Sequence, residues 1–312
     1  MNNTKNIYMN RLLFLVLTLM IFQTTVAQQR PDTAFVFPLD RPAYDQGKGP
    51  VIAIDAAHCN FHTLEGGFAP FGKLLASDGY HVQSMYKPLT TLQTGAGPRI
   101  LVIANALDAS DTAEWMLPNP SAFNQDEILK LEQWVRAGGR LMLIADHMPF
   151  AGAAGELAAA FGFGFLNGFA FTGDRQWPPS RFTRNEGTLN ASPVTDSSEM
   201  SYAIREVSTF TGSAFRIPSQ AIPVLKFRPA DWSLLPDTAW VFHPGTPKVQ
   251  LENYFQGALL KYGKGKVAVF GEAAMFTAQI VKESFKVGFN APEAPENARF
   301  LLNVIHWLDS ED

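Results

Sequence analysis

Three of the chain's six histidines stand in two short polar stretches. The first reads Asp55-Ala-Ala-His58-Cys59-Asn60-Phe61-His62. The second reads Asp146-His147. Imidazoles beside carboxylates suit two chemistries. They can move protons near neutral pH, or hold Zn, Mn or Fe with an open position for water. His58, His62 and Asp55 are the candidate ligands of a divalent metal. Asp146, His147 and Glu272 are the candidate acid–base groups, and Asn60 and Asn105 could orient a substrate. The His58/His62 spacing lacks the intervening glutamate of a helical zinc-protease motif and lies in a loop, so it does not itself specify a metal. Cys59 is expected to be a small buried residue and not a nucleophile. Any one of these residues could simply cap a helix or hold a turn. The case for function is their joint placement.

That placement follows from the elements. Val51–Asp55, Ile100–Ala104, Arg140–Ala145 and Gly265–Phe270 are short apolar runs that read as buried strands, and His81–Met85 reads as another. Helices are expected between them: Gly66–Gly79; a segment capped by Asn124 with Ile128, Leu131, Trp134 and Val135 on one face; and Ala-rich residues 152–161. A closing helix is expected over 297–308. Alternating strands and helices predict a mostly parallel sheet covered on both faces. Right-handed crossovers put all strand C-termini on one edge, where such folds bind ligands. The polar stretches above, with Asn105 and Asp108, follow those strands directly.

Residues 163–250 change character, with many Phe, Pro, Ser and Thr, and predict short strands and long loops inserted in the α/β body. Ala221–Leu225 and Thr238–Phe242 are candidate strands there. Asp174, Arg175, Trp177 and Arg181 form a weaker candidate cluster. His81, His243 and His306 are assigned to a strand start, a loop and helix packing.

The N-terminus reads as an export signal. Lys5 and Arg11 precede an apolar run, Leu12–Phe22, and Thr25 and Ala27 suit cleavage before Gln28. The run is short for a membrane span. Residues 1–27 are thus expected to be a signal peptide, 28–49 a surface leader, and 50–312 one domain, delivered to the periplasm or extracellular space with no membrane attachment after cleavage. Cys59 is the only cysteine, so no internal disulfide can form. Apolar content of 46% and charged content of 17% indicate a folded chain. The net charge of −4 with no basic run gives no support for nucleic-acid binding.

Four phrases carry a family resemblance: AHCNFHT (57–63), GGRLMLIADHMPFAGAAGELAAAFG (138–162), YGKGKVAVFGEAAMFTAQ (262–279) and NVIHWL (303–308). They resemble a secreted family similar to the class I glutamine amidotransferase-like domains, which implies a flavodoxin-like α/β sandwich across residues 50–309. Some relatives occur with carbohydrate-degrading enzymes, which implies a sugar-linked role. In true amidotransferases the strand-to-helix turn carries a nucleophilic cysteine; the matching turn here, Ala145-Asp146-His147-Met148, has none. Glutaminase activity is therefore not expected. The expectation is a hydrolase-like enzyme acting on a small-molecule or glycan ligand. A non-catalytic binding module and a structural domain of a surface assembly are the alternatives.

Overall fold

The computed structural model describes residues 29–173, 179–196, 198, 202–282 and 284–311. The expected signal peptide and Asp174, Arg175 and Trp177 lie outside them. Among the described residues no helix is long and apolar enough to cross a membrane.

Nine strands build the central sheet: β1 (Val51–Asp55), β2 (His81–Met85), β3 (Ile100–Ala104), β4 (Arg140–Ile144), β5 (Gly164–Leu166), β6 (Ala214–Arg216), β7 (Ile222–Lys226), β8 (Phe255–Tyr262) and β9 (Gly265–Phe270). Their order is β2-β1-β3-β4-β9-β8-β6-β5, with β7 also paired to β8. The first five are mutually parallel. The rest run antiparallel to their neighbours. The parallel half has the flavodoxin-like order, in which the chain reverses direction across the sheet between β1 and β3. The fold is thus the expected α/β class, with a strand-rich extension.

The parallel strands are apolar on both sides because helices cover both faces. Every residue of β3 and β4 is buried. Alternate side chains feed opposite cores. Ile52, Ile54, Ile100 and Val102 pack with Phe71 and Leu75 of helix α1 (Ala69–Ser77), and with Phe300, Leu301 and Val304 of the closing helix. Ala53, Leu101, Ile103 and Leu141 pack instead with Leu131, Trp134 and Val135 of α2 (Gln125–Arg136). The Ala-rich segment forms two short helices, α3 (Phe150–Ala153) and α4 (Gly155–Ala160), where one was expected. The closing helix, α5, spans Asn297–Asp309.

Buried cations lock α5 to the bottom of the sheet. Arg140 donates to the Leu308 carbonyl at 2.8 Å and Lys266 to the Trp307 carbonyl at 2.8 Å. Positive charge there offsets the partial negative charge of the helix end. His306 does more than pack, since its Nε2 lies 2.6 Å from Asp78.

One reading of the sequence needs correction and one gains detail. Residues 29–49, expected as a surface leader, include no fully buried residue but are tied to the body. Gln29–Pro31 is a strand paired with Ala278–Val281, which pairs in turn with Phe285–Gly288. Phe35, Phe37, Leu39 and Tyr44 pack on the core. Thr238–Phe242 is a turn and not a strand, with Trp240 at φ 65°.

Candidate functional site

The ends of β1, β3, β4 and β9 surround one cavity of about 310 Å³. Asn105, Asp146, His147 and Glu272 line it directly after β3, β4 and β9, and His62 enters from the loop after β1. The sheet's reversal between β1 and β3 opens this crevice. The floor is the predicted one; the walls come from elsewhere. The three-stranded sheet of Gln29–Pro31, Ala278–Val281 and Phe285–Gly288 supplies Gln29, Val281, Phe285 and Val287, and the insert supplies Phe210, Thr211 and Trp240. Phe61, Trp115 and Phe150 complete an aromatic rim.

Asn105 ties the floor together. It takes left-handed geometry at φ 50°, which asparagine tolerates better than most residues. Its Oδ1 accepts the Asp146 N–H at 2.9 Å, so its Nδ2 is left to face His62 Nδ1 at 3.1 Å. A donor at Nδ1 leaves the imidazole proton on Nε2. Gln279, 3.2 Å from Nε2, accepts that proton through its amide oxygen when the Gln279 and Gln29 amides, themselves hydrogen-bonded, turn together. Burial lowers the His62 pKa to about 4, outweighing the attraction of Asp146. His62 is therefore a neutral, fully committed hydrogen-bonding group. Gly67 makes room for it, since a Cβ there would lie 2.7 Å from His62 Cδ2.

His147 is poised differently. Its Nδ1 lies 2.7 Å from the Met148 carbonyl oxygen. A carbonyl only accepts, so Nδ1 carries a proton, and in the neutral ring the lone pair lies on Nε2. The ring stacks on Phe169 at 4.5 Å and meets the edge of Trp240 at 4.7 Å. Only 8% of the residue is exposed, and Nε2 has no protein partner among the described residues.

Asp146 and Glu272 form a carboxyl pair. Glu272 is 1% exposed and accepts the Ala274 N–H at 2.9 Å and the Met275 N–H at 2.7 Å. Burial, and then the Asp146 charge, raise its pKa well above the usual carboxylate range, against the pull of those backbone bonds.

The remaining candidates fall outside the cavity. His58 bridges two carboxylates, with Nδ1 2.8 Å from Asp55 and Nε2 3.1 Å from Glu127. Glu127 also closes the capping box of α2 with Asn124. Asp55, His58 and Glu127 thus pin the β1 loop to α2. Asn60 does not reach a substrate position either; its Oδ1 accepts the His58 N–H at 3.1 Å and holds the loop. Asp108 caps a short turn at Ser110. Cys59 is exposed at φ 45°, not buried as expected. Arg181 pairs with Glu206 on a separate two-stranded sheet. His58 and His62 engage different partners, so the set His58, His62 and Asp55 is not assembled. Among the described residues no group of three or more His, Cys, Asp or Glu is placed to hold a metal ion.

Sequence reasoning did not single out Gln29, Gln279, Trp115 or Trp240. The two glutamines had no signal before the N-terminal strand pairing was known. The tryptophans lie in loops, where an aromatic residue without apolar periodicity hints at binding.

The fold has counterparts among solved structures. The mmIFT52 N-terminal domain is 15% identical over 84% of this chain and 98% of that chain, with a TM-score of 0.57, and shares the fold. A ThuA-like protein from Bacteroides uniformis is 14% identical over 89% of this chain and 97% of that one, with a TM-score of 0.46. A ThuA-like protein from Parabacteroides merdae is 11% identical over 84% and 90%, with a TM-score of 0.41. No family model matches the chain, and no curated protein matches it.

Proposed function

We propose that the protein is an exported, hydrolase-like enzyme acting by acid–base chemistry on a small, carbohydrate-related substrate in this cavity. The supporting observation is the meeting of the Asp146/Glu272 pair with the unpartnered Nε2 of His147 in one concave, aromatic-rimmed site. The roles follow from the protonation states. Glu272 gives its proton to the leaving oxygen as the bond to the substrate breaks. His147 Nε2 takes a proton from the attacking water, and Asp146 steadies the imidazolium that forms. Asn105 and His62 hold the floor rigid. No step is routed through a metal, since no ligand set is assembled among the described residues.

One observation favours a non-catalytic module instead. Both Glu272 oxygens already accept backbone N–H groups, as in a turn-holding cap. A turnover screen on glycosides and esters separates the two readings. Enzymatic function predicts turnover that falls about 10²- to 10⁴-fold in Glu272→Gln and His147→Ala. Ligand binding with no turnover in the wild type leaves the module and refutes the enzyme.

A further inference from the structure

The cavity's charged side chains have one sign, since Asp146 and Glu272 line it. Two of its polar donors are engaged inside the protein: Asn105 Nδ2 faces His62, and the Thr211 hydroxyl donates to the Phe210 carbonyl. Two acceptors face the cavity: His147 Nε2, and the Asp146 carboxylate, which also accepts the His147 N–H at 2.8 Å and the Ala273 N–H at 3.4 Å and keeps further lone pairs. Among the described residues no lysine or arginine lines the cavity. Six aromatic side chains do, including Trp115 and Trp240, whose ring faces attract cations. Trp240 is 53% exposed and holds φ 65°, an unusual backbone state for a bulky residue, while packing its edge against His147. The backbone thus keeps an indole at the mouth beside the lone pair.

We propose that the ligand of this cavity carries a protonated amine, whose N–H groups donate to His147 Nε2 and Asp146 and whose charge lies among the aromatic rings. A phosphate, sulfate or carboxylate would meet the two acidic side chains and no cationic one among the described lining residues. A neutral polyol would satisfy the acceptors and leave the site's charge unanswered. A trimethylated ammonium would suit the rings and leave the acceptors without protons. The inference rests on the cavity being the functional site, and it adds the chemical class of what enters.

The test uses matched ligands on the purified protein by titration calorimetry. Glucosamine, glucose and glucuronate share one skeleton; benzylamine, benzyl alcohol and benzoate share a second; trimethylbenzylammonium removes the N–H groups. In at least one skeleton the amine is expected to bind about ten-fold or more tighter than its alcohol, and the carboxylate not at all. Asp146→Asn and Trp240→Ala should each shrink that amine-to-alcohol ratio, measured on variants whose circular dichroism matches the wild type. If alcohols bind as well as amines and His147→Ala abolishes that binding, the charge inference fails while the site stands. If no member of either series binds, both fail. Binding of trimethylbenzylammonium equal to benzylamine overturns the role of the acceptors.

Discussion

Asn105 Oδ1 accepts the backbone N–H of Asp146 at 2.9 Å, joining the end of one parallel strand to the turn that follows the next. The same side chain reaches His62 with its nitrogen. One residue therefore sets the spacing of two loops and an imidazole. Asn105→Ala loses both bonds and the tolerance of positive φ, and is expected to cost about 2–4 kcal/mol in urea unfolding. Asn105→Gly keeps the backbone state and should recover part of that loss, which isolates the side-chain contribution.

His62 gives stability an acid limb. Its pKa falls from 6.5 unfolded to about 4 folded. Between those values the unfolded chain binds more protons, so stability rises with pH. The contribution is complete above about pH 6.5 and lost as pH falls toward 4, on the order of 3 kcal/mol. Urea midpoints measured across this window should rise steeply in the wild type and much less in His62→Gln. Equal slopes would show that His62 is not the buried neutral group described.

His58 acts in the opposite direction. Burial lowers its pKa, but hydrogen bonds and charge from Asp55 and Glu127 outweigh it, and the folded value lies above 6.5. Its contribution is full below about pH 6.5 and fades as pH rises through the folded value. His58→Leu leaves two buried carboxylates without their partner and should cost about 3–5 kcal/mol near neutral pH. Its activity, if the protein folds, should survive, because His58 lies outside the cavity.

The carboxyl pair is open to infrared spectroscopy. At neutral pH the wild type should show a protonated carboxyl band that Glu272→Gln removes. Asp146→Asn takes away a charge that raises Glu272. In that variant the band should titrate away at lower pH than in the wild type. A wild type with no such band contradicts the raised Glu272 pKa.

Much of this architecture was legible in the sequence. The apolar runs of β1, β3, β4 and β9 are short and bounded, and the strand-end rule placed Asn105, Asp146, His147 and Glu272 together without any distance. The rule went too far at the β1 loop. Asp55, His58 and Asn60 also follow a strand, yet they turn to Glu127 and to each other. Glu127 is 69 residues from His58, and no local pattern announces that contact. β8 escaped notice because Gln256 and Gly257 interrupt its apolar pattern. Glycine is needed there, since a Cβ would lie 2.9 Å from both Leu225 and Phe270. The turn at Trp240 was hidden by the strand-like composition of its neighbours, where packing on His147 and Phe169 overrides local preference.

The parallel half of the sheet holds the ionisable groups Asp146, His147 and Glu272, while the N-terminal strand and the insert supply part of the cavity wall. Gln29, Phe210, Thr211 and Trp240 come from stretches of polypeptide other than those that carry Asn105, Asp146, His147 and Glu272. Mutation can therefore recut the walls of the cavity while the floor stays as it is. Descendants of this scaffold are free to change what they recognise long before they change what they can do to it.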